Sequence, residues 1–127
     1  MQYKFPYIDG YPMIMAKLRK ENCKARYFEF LIDSGADFTM ISKSYAAVLG
    51  LEYAKIKNTE IKVEVANLTF IQAKRTTLIL TIEGNDLAIP VLIANEDVEC
   101  LLGRKGFFEN FDILFQENQQ QVIFKKV

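Results

Sequence analysis

The chain contains no histidine. That absence removes most zinc sites and every nucleophile system in which a histidine activates a serine or cysteine. Cysteine is scarce as well. Cys23 and Cys100 lie far apart without metal-ligand spacing, so both thiols are expected to be free, as in a reducing compartment. No metal and no cofactor is expected. Net charge is also lacking, because sixteen Lys and Arg balance sixteen Asp and Glu. Binders of duplex DNA or of anionic membranes ordinarily carry a basic excess, so neither is expected as a partner. A nucleic-acid module of barrel type would further need a basic face interleaved with aromatics, which the sequence does not offer. The basic run "KLRKENCKAR", Lys17 to Arg26, reads instead as the solvated tip of a hairpin. No apolar stretch is long enough to span a bilayer. The start, "MQYKFPYIDGYPMIM", lacks the basic segment and long apolar run of a signal peptide. A cytoplasmic location is expected.

What is present is mostly strand. The 127 residues are expected to form one domain, 1–127, with no linker or repeat. "PMIMAKLR" and "ARYFEFLI" are apolar-rich runs joined by a polar turn at Lys20-Glu21-Asn22, and they read as a hairpin. "TEIKVEVANLTFIQAKRTTLILTI" mixes alternation with β-branched residues and turns at Ala66-Asn67. "EGND", Glu83 to Asp86, turns into the returning strand "LAIPVLIA", whose Pro90 must sit at an edge or bulge. "FDILF" and "QVIFKKV" flank a polar turn and read as a terminal hairpin. Helix signals are short: Ser42 caps "KSYAAVLG" with Gly50 as its stop, and "RKGFFENF" follows Gly103. Roughly eight strands and two short helices imply a small, mostly antiparallel barrel or sandwich.

The chemistry is concentrated in "FLIDSGADFTMIS", Phe30 to Ser42. An apolar strand that ends on Asp33 carries a carboxylate into a low-dielectric site, where its ionisation can be tuned. Ser34 offers a hydroxyl to brace the loop. Gly35 leaves room for a substrate backbone or a water, and Ala36 keeps the approach open. The same four residues also read as an Asx-type turn or a helix cap, because Asp, Ser and Gly are common turn formers.

Together with later segments, this stretch resembles the retropepsins, the single-domain aspartic proteases of the retroviral type. "LIDSGAD", Leu31 to Asp37, is similar to their catalytic loop. "LLGR", Leu101 to Arg104, is similar to their second signature, in which two apolar residues and a glycine close a psi-shaped crossing beneath that loop. "FDILFQENQQQVIFKK" is similar to the terminal hairpin of cellular and microbial relatives, so the resemblance spans Ile8 to Val127. It implies an all-β fold: a small closed β-barrel of the acid-protease type with two short helices. It also implies an aspartic endopeptidase in which two carboxylates share one proton across a water. The chain has one such motif, so the resemblance implies a homodimer with Asp33 contributed by each subunit. The substrate would be a peptide or protein segment, extended and apolar near the cut. An acid-shifted optimum follows, because the dyad must hold a proton.

The resemblance further assigns the residues around Asp33. Ser34 would donate across the dyad, and Arg104 and Asp37 would form an ion pair linking the second signature to the catalytic loop. Leu31, Gly35, Val98 and Leu101 would contact substrate. "VEVANLTFIQ", Val63 to Gln72, corresponds to the hairpin that covers the substrate. Val65, Ala66, Asn67, Leu68 and Phe70 would face the cleft from it. This stretch has no glycine, whereas many retroviral members have a glycine-rich tip. That departure supports the alternative of a catalytically weak or inactive module that dimerises and grips extended peptides.

Overall fold

The computed structural model describes residues 1–65 and 68–127. Their strands are β1 (Gln2–Pro6), β2 (Met13–Arg19), β3 (Arg26–Ile32), β4 (Thr39–Ser42), β5 (Ile61–Val65), β6 (Thr69–Ile82), β7 (Asn85–Ala94), β8 (Leu101–Leu102), β9 (Phe111–Gln116) and β10 (Gln121–Lys126). The α-helix α1 (Lys43–Val48) lies between β4 and β5.

Alternation in the sequence becomes an inside and an outside. Ile14, Ala16 and Leu18 of β2 are buried, as are Phe28, Phe30 and Ile32 of β3, each at a spacing of two. Leu78, Leu80 and Ile82 of β6 and Ile89, Val91 and Ile93 of β7 point into the same core. The large sheet runs β2-β3-β8-β4-β7-β6-β5, and a further β2–β6 pairing, with Leu18 opposite Leu80, closes the first six strands into a barrel. Closure removes the open edges that such a sheet would otherwise present. β5 stays outside that ring and, among the described residues, pairs only with the first part of β6 from Ile61↔Ala73 to Val65↔Thr69.

The termini form a second, three-stranded antiparallel sheet, β1-β10-β9. It shares the barrel's core through Phe111, Val122 and Phe124, and Phe107 from the preceding turns packs with them, its ring 5.3 Å from that of Phe124 and edge-on. The expected terminal hairpin is therefore present and is extended by the chain's own N-terminal strand.

α1 begins as the sequence indicates: the Tyr45 N–H donates to the Ser42 hydroxyl at 3.4 Å, and Gly50 takes a positive φ just beyond the last turn. A second helix over Arg104–Phe111 does not form, and residues 104–110 are a run of turns. Gly106 has φ +89, and a Cβ there would collide with the Ile89 side chain. The Phe108 and Glu109 N–H groups reach back five residues, to the carbonyls of Gly103 and Arg104. Burying Phe107 and Phe111 took precedence over helical bonding. Pro90 is not on an edge strand, since β7 pairs with β6 and β4. It sits opposite Thr77 on the β6 side and one residue before the β4 pairing starts at Val91, so the ladder to β4 needs no donor there.

Candidate active site

β3 delivers Asp33. The strand is held on one side by β2 and on the other by a short parallel pairing with β8, Leu31↔Leu101 and Ile32↔Leu102. The Asp33 N–H donates to the Leu102 carbonyl at 3.0 Å, and the Leu31 N–H donates to Cys100 at 2.9 Å. The loop then folds back on itself: the Gly35 N–H donates to Asp33 Oδ1 at 2.9 Å, and the Ala36 N–H to the Asp33 carbonyl at 3.2 Å. That is the Asx-type turn anticipated from the sequence, and here it orients the carboxylate. Asp33 is half-buried and Ser34 is exposed in the single chain.

Beneath the loop, β8 and Gly103 pass between Ile32 and the residues leading into β4. Space there is minimal. A Cβ on Gly103 would run into the Phe38 carbonyl and lie 2.9 Å from the Ala36 oxygen, so no other residue fits. The Gly103 N–H donates to the Thr39 hydroxyl at 3.3 Å, within a fully buried site. The Arg104 N–H donates to Ala36 and the Lys105 N–H to Asp37, both at 2.8 Å. Thr39 carries no signal in the sequence that separates it from an ordinary β-branched strand residue.

The Arg104 and Asp37 side chains approach to 3.8 Å, but both are largely exposed, so the pair contributes roughly 1 kcal/mol or less. In this chain the link between the two segments is carried by backbone hydrogen bonds instead. Cys100 is buried next to the site, and burial pushes its thiol up to about 12, so it is a core residue and not a nucleophile.

A groove of about 890 Å³ opens above Asp33. Leu31, Val98 and Leu101 line it, together with Gly35, Ala36 and Val65. Met40 and Leu92 also line it, and the sequence reading did not single them out. Both sit on the outer face of the barrel, in a small apolar cluster with Ile71, Ala73 and Ala94. Their strands are apolar on both faces, so alternation gave no sign of which leucine or methionine would face the groove. Val63 lines it as well, two residues from Val65 and on the same strand face. Phe70 does not line the groove; it pairs with Glu64 on the opposite face and is 59% exposed. Leu68 is 79% exposed and is likewise absent from the lining. Ala66 and Asn67 lie outside the described residues. Among the described residues there is no group of acidic or thiol side chains arranged to hold a metal, and no helix is long and apolar enough to cross a membrane.

Comparison with known proteins agrees with this architecture. The family model for the gag-polyprotein putative aspartyl protease matches residues 22–107, a stretch that takes in both the Asp33 loop and the Gly103 crossing. The chain belongs to that family. Among solved structures it is similar to a retropepsin-like aspartic protease from Rickettsia conorii, with a TM-score of 0.74 at 22% identity over 98% of this chain and 89% of that one. It is also similar to the EIAV protease solved with an inhibitor, with a TM-score of 0.56 at 15% identity over 76% of this chain and 85% of that one. A search of curated proteins returned no match. The fold is that of the retropepsin-like aspartic proteases.

Proposed function

We propose that this protein is an aspartic endopeptidase that works as a homodimer, with Asp33 of each subunit meeting at the two-fold axis. The observation that carries this reading is the position of Asp33. It is held by backbone bonds at the floor of an apolar groove, above a crossing that excludes any side chain at Gly103. One chain leaves this carboxylate half-open to solvent, and a second loop packed against it supplies both the missing partner and the exclusion of water. One carboxylate then takes a proton from the bound water, while its protonated partner polarises the scissile carbonyl. Ser34, exposed in the single chain, would donate across the axis. Leu31, Val98 and Leu101 would take apolar side chains of an extended peptide, and the β5–β6 hairpin would cover it through Val63 and Val65.

The test is cleavage of a mixed peptide library by the wild type and by Asp33→Asn between pH 4 and 8, read by mass spectrometry. Cuts made by the wild type alone, declining as the pH rises and the shared proton is lost, are the expected result. Activity that rises steadily into alkaline solution would refute the shared-proton mechanism. The glycine-free hairpin, Val63 to Gln72, favours a second reading, a dimeric peptide-binding module with little turnover. That reading takes over if neither protein cuts while both are dimeric.

A further inference from the structure

The β5–β6 hairpin is rooted where β6 changes partners. Up to Ala73, β6 pairs with β5, and from Ala73 onward it pairs with β7 of the barrel. The next two residues of β6 hold the segment that leads into β5. The Lys74 ammonium donates to the Tyr53 carbonyl at 2.9 Å and stands 4.6 Å from the centre of the Tyr53 ring. The Arg75 carbonyl accepts the Asn58 side-chain amide. Tyr53 itself, in the short 3-10 turn Tyr53–Lys55, is half-buried and packs on the barrel core. Carbonyl, ring face and packing thus all tie it to the barrel.

From that anchor the Tyr53 hydroxyl donates to Glu60 Oε2 at 2.6 Å, a length typical of a bond to an ionised acceptor. Glu60 is the last residue before β5 begins at Ile61, and Ile61, Val63 and Val65 all line the groove. Beyond Glu60, among the described residues, β5 is held by its ladder to β6 and by Val63 and Val65 packed on the outer cluster. The hydroxyl is not needed for packing, since a phenylalanine ring fills the same space. Its bond to Glu60 is exposed to water, so overall folding gains little from it. The bond acts on the strand it holds.

We infer that the Tyr53–Glu60 bond is a latch on the cover of the groove: it holds the root of β5 and sets how readily Ile61, Val63 and Val65 swing away from a bound peptide. Tyr53 is then a positioning residue, which touches no substrate and acts through Glu60. The inference rests on the groove being a peptide cleft, as proposed above. It adds the residue that governs how long a peptide stays under the hairpin.

Amide hydrogen exchange and peptide release test it together. Tyr53→Phe removes the hydroxyl and keeps the ring, and Glu60→Ala removes the acceptor at an exposed position. In each variant the β5 amides are expected to exchange about two- to tenfold faster, the range of one exposed hydrogen bond. The amides of Asp33, Arg104 and Lys105 in the floor keep their rates. The double variant adds little, because both changes break the same bond. In Asp33→Asn protein, a fluorescein-labelled apolar peptide followed by stopped-flow anisotropy should dissociate faster by about the same factor when Tyr53→Phe is added. Exchange in β5 that is unchanged in either variant, that accelerates together with the floor, or that is additive in the double variant overturns the latch and leaves the cleft reading standing. Faster exchange with unaltered peptide release overturns it as well. A protein that binds no peptide overturns it together with the cleft reading.

Discussion

The two walls of the groove are built in opposite ways. Below Asp33 the chain crosses itself with no room for a methyl group at Gly103, a buried Thr39 hydroxyl accepting the Gly103 N–H, and three further backbone bonds, from Asp33, Arg104 and Lys105. Above it, the β5–β6 hairpin leaves the barrel on a single line of pairing, with β5 bonded, among the described residues, to β6 alone and Phe70 and Leu68 exposed to solvent. The first wall is over-determined, and its opening requires loss of core packing. The second is held through one ladder and through Val63 and Val65 packed on the outer apolar cluster, fewer independent ties than the floor has. Such a division suits a groove whose floor must hold a carboxylate in place while its cover admits a ligand.

Three substitutions sharpen or break this contrast. Gly103→Ala should have the largest effect. Its Cβ meets backbone on two sides, so the crossing must spread, and a loss of about 3 kcal/mol or more is expected, seen as a fall of roughly 10 °C or more in melting temperature. A fall of only a degree or two would show that the crossing is looser than its geometry indicates. Thr39→Val comes next. It keeps the shape but strands the buried Gly103 N–H, at a cost of about 1 to 3 kcal/mol, while Thr39→Ser should recover most of that in a urea titration. Equal losses for Val and Ser would make the hydroxyl irrelevant. Arg104→Gln should be smallest, below about 1 kcal/mol and smaller still in high salt. A loss comparable to that of Thr39→Val would show that the ion pair, and not the backbone, ties the two segments together.

Much of the barrel was legible in the sequence because strand burial has a period of two. The β2–β3 hairpin, the turn at Glu83-Gly84, the capped α1 and the terminal hairpin all follow from local apolar pattern and turn chemistry. Local reasoning failed where a tertiary demand overrode it. "RKGFFENF" has the composition of a short helix, yet Phe107 and Phe111 are drawn into the core shared with Phe124, and Gly106 is bent to clear Ile89. Pro90 was expected at an edge or a bulge and instead lies in a central strand, one residue before β4 begins to pair.

The sequence by itself determined the alternating strands and the position of Asp33 at the end of one of them, because each depends on residues close together in the chain. Only the tertiary structure decided which apolar residues face the groove, that Thr39 braces Gly103 across the crossing, that Phe70 turns away from the groove, and that Arg75 and Lys105 meet over Phe38. Those outcomes depend on which strand lies beside which. Pairing between distant strands is set by closure of the whole barrel, and no short stretch of sequence carries that information.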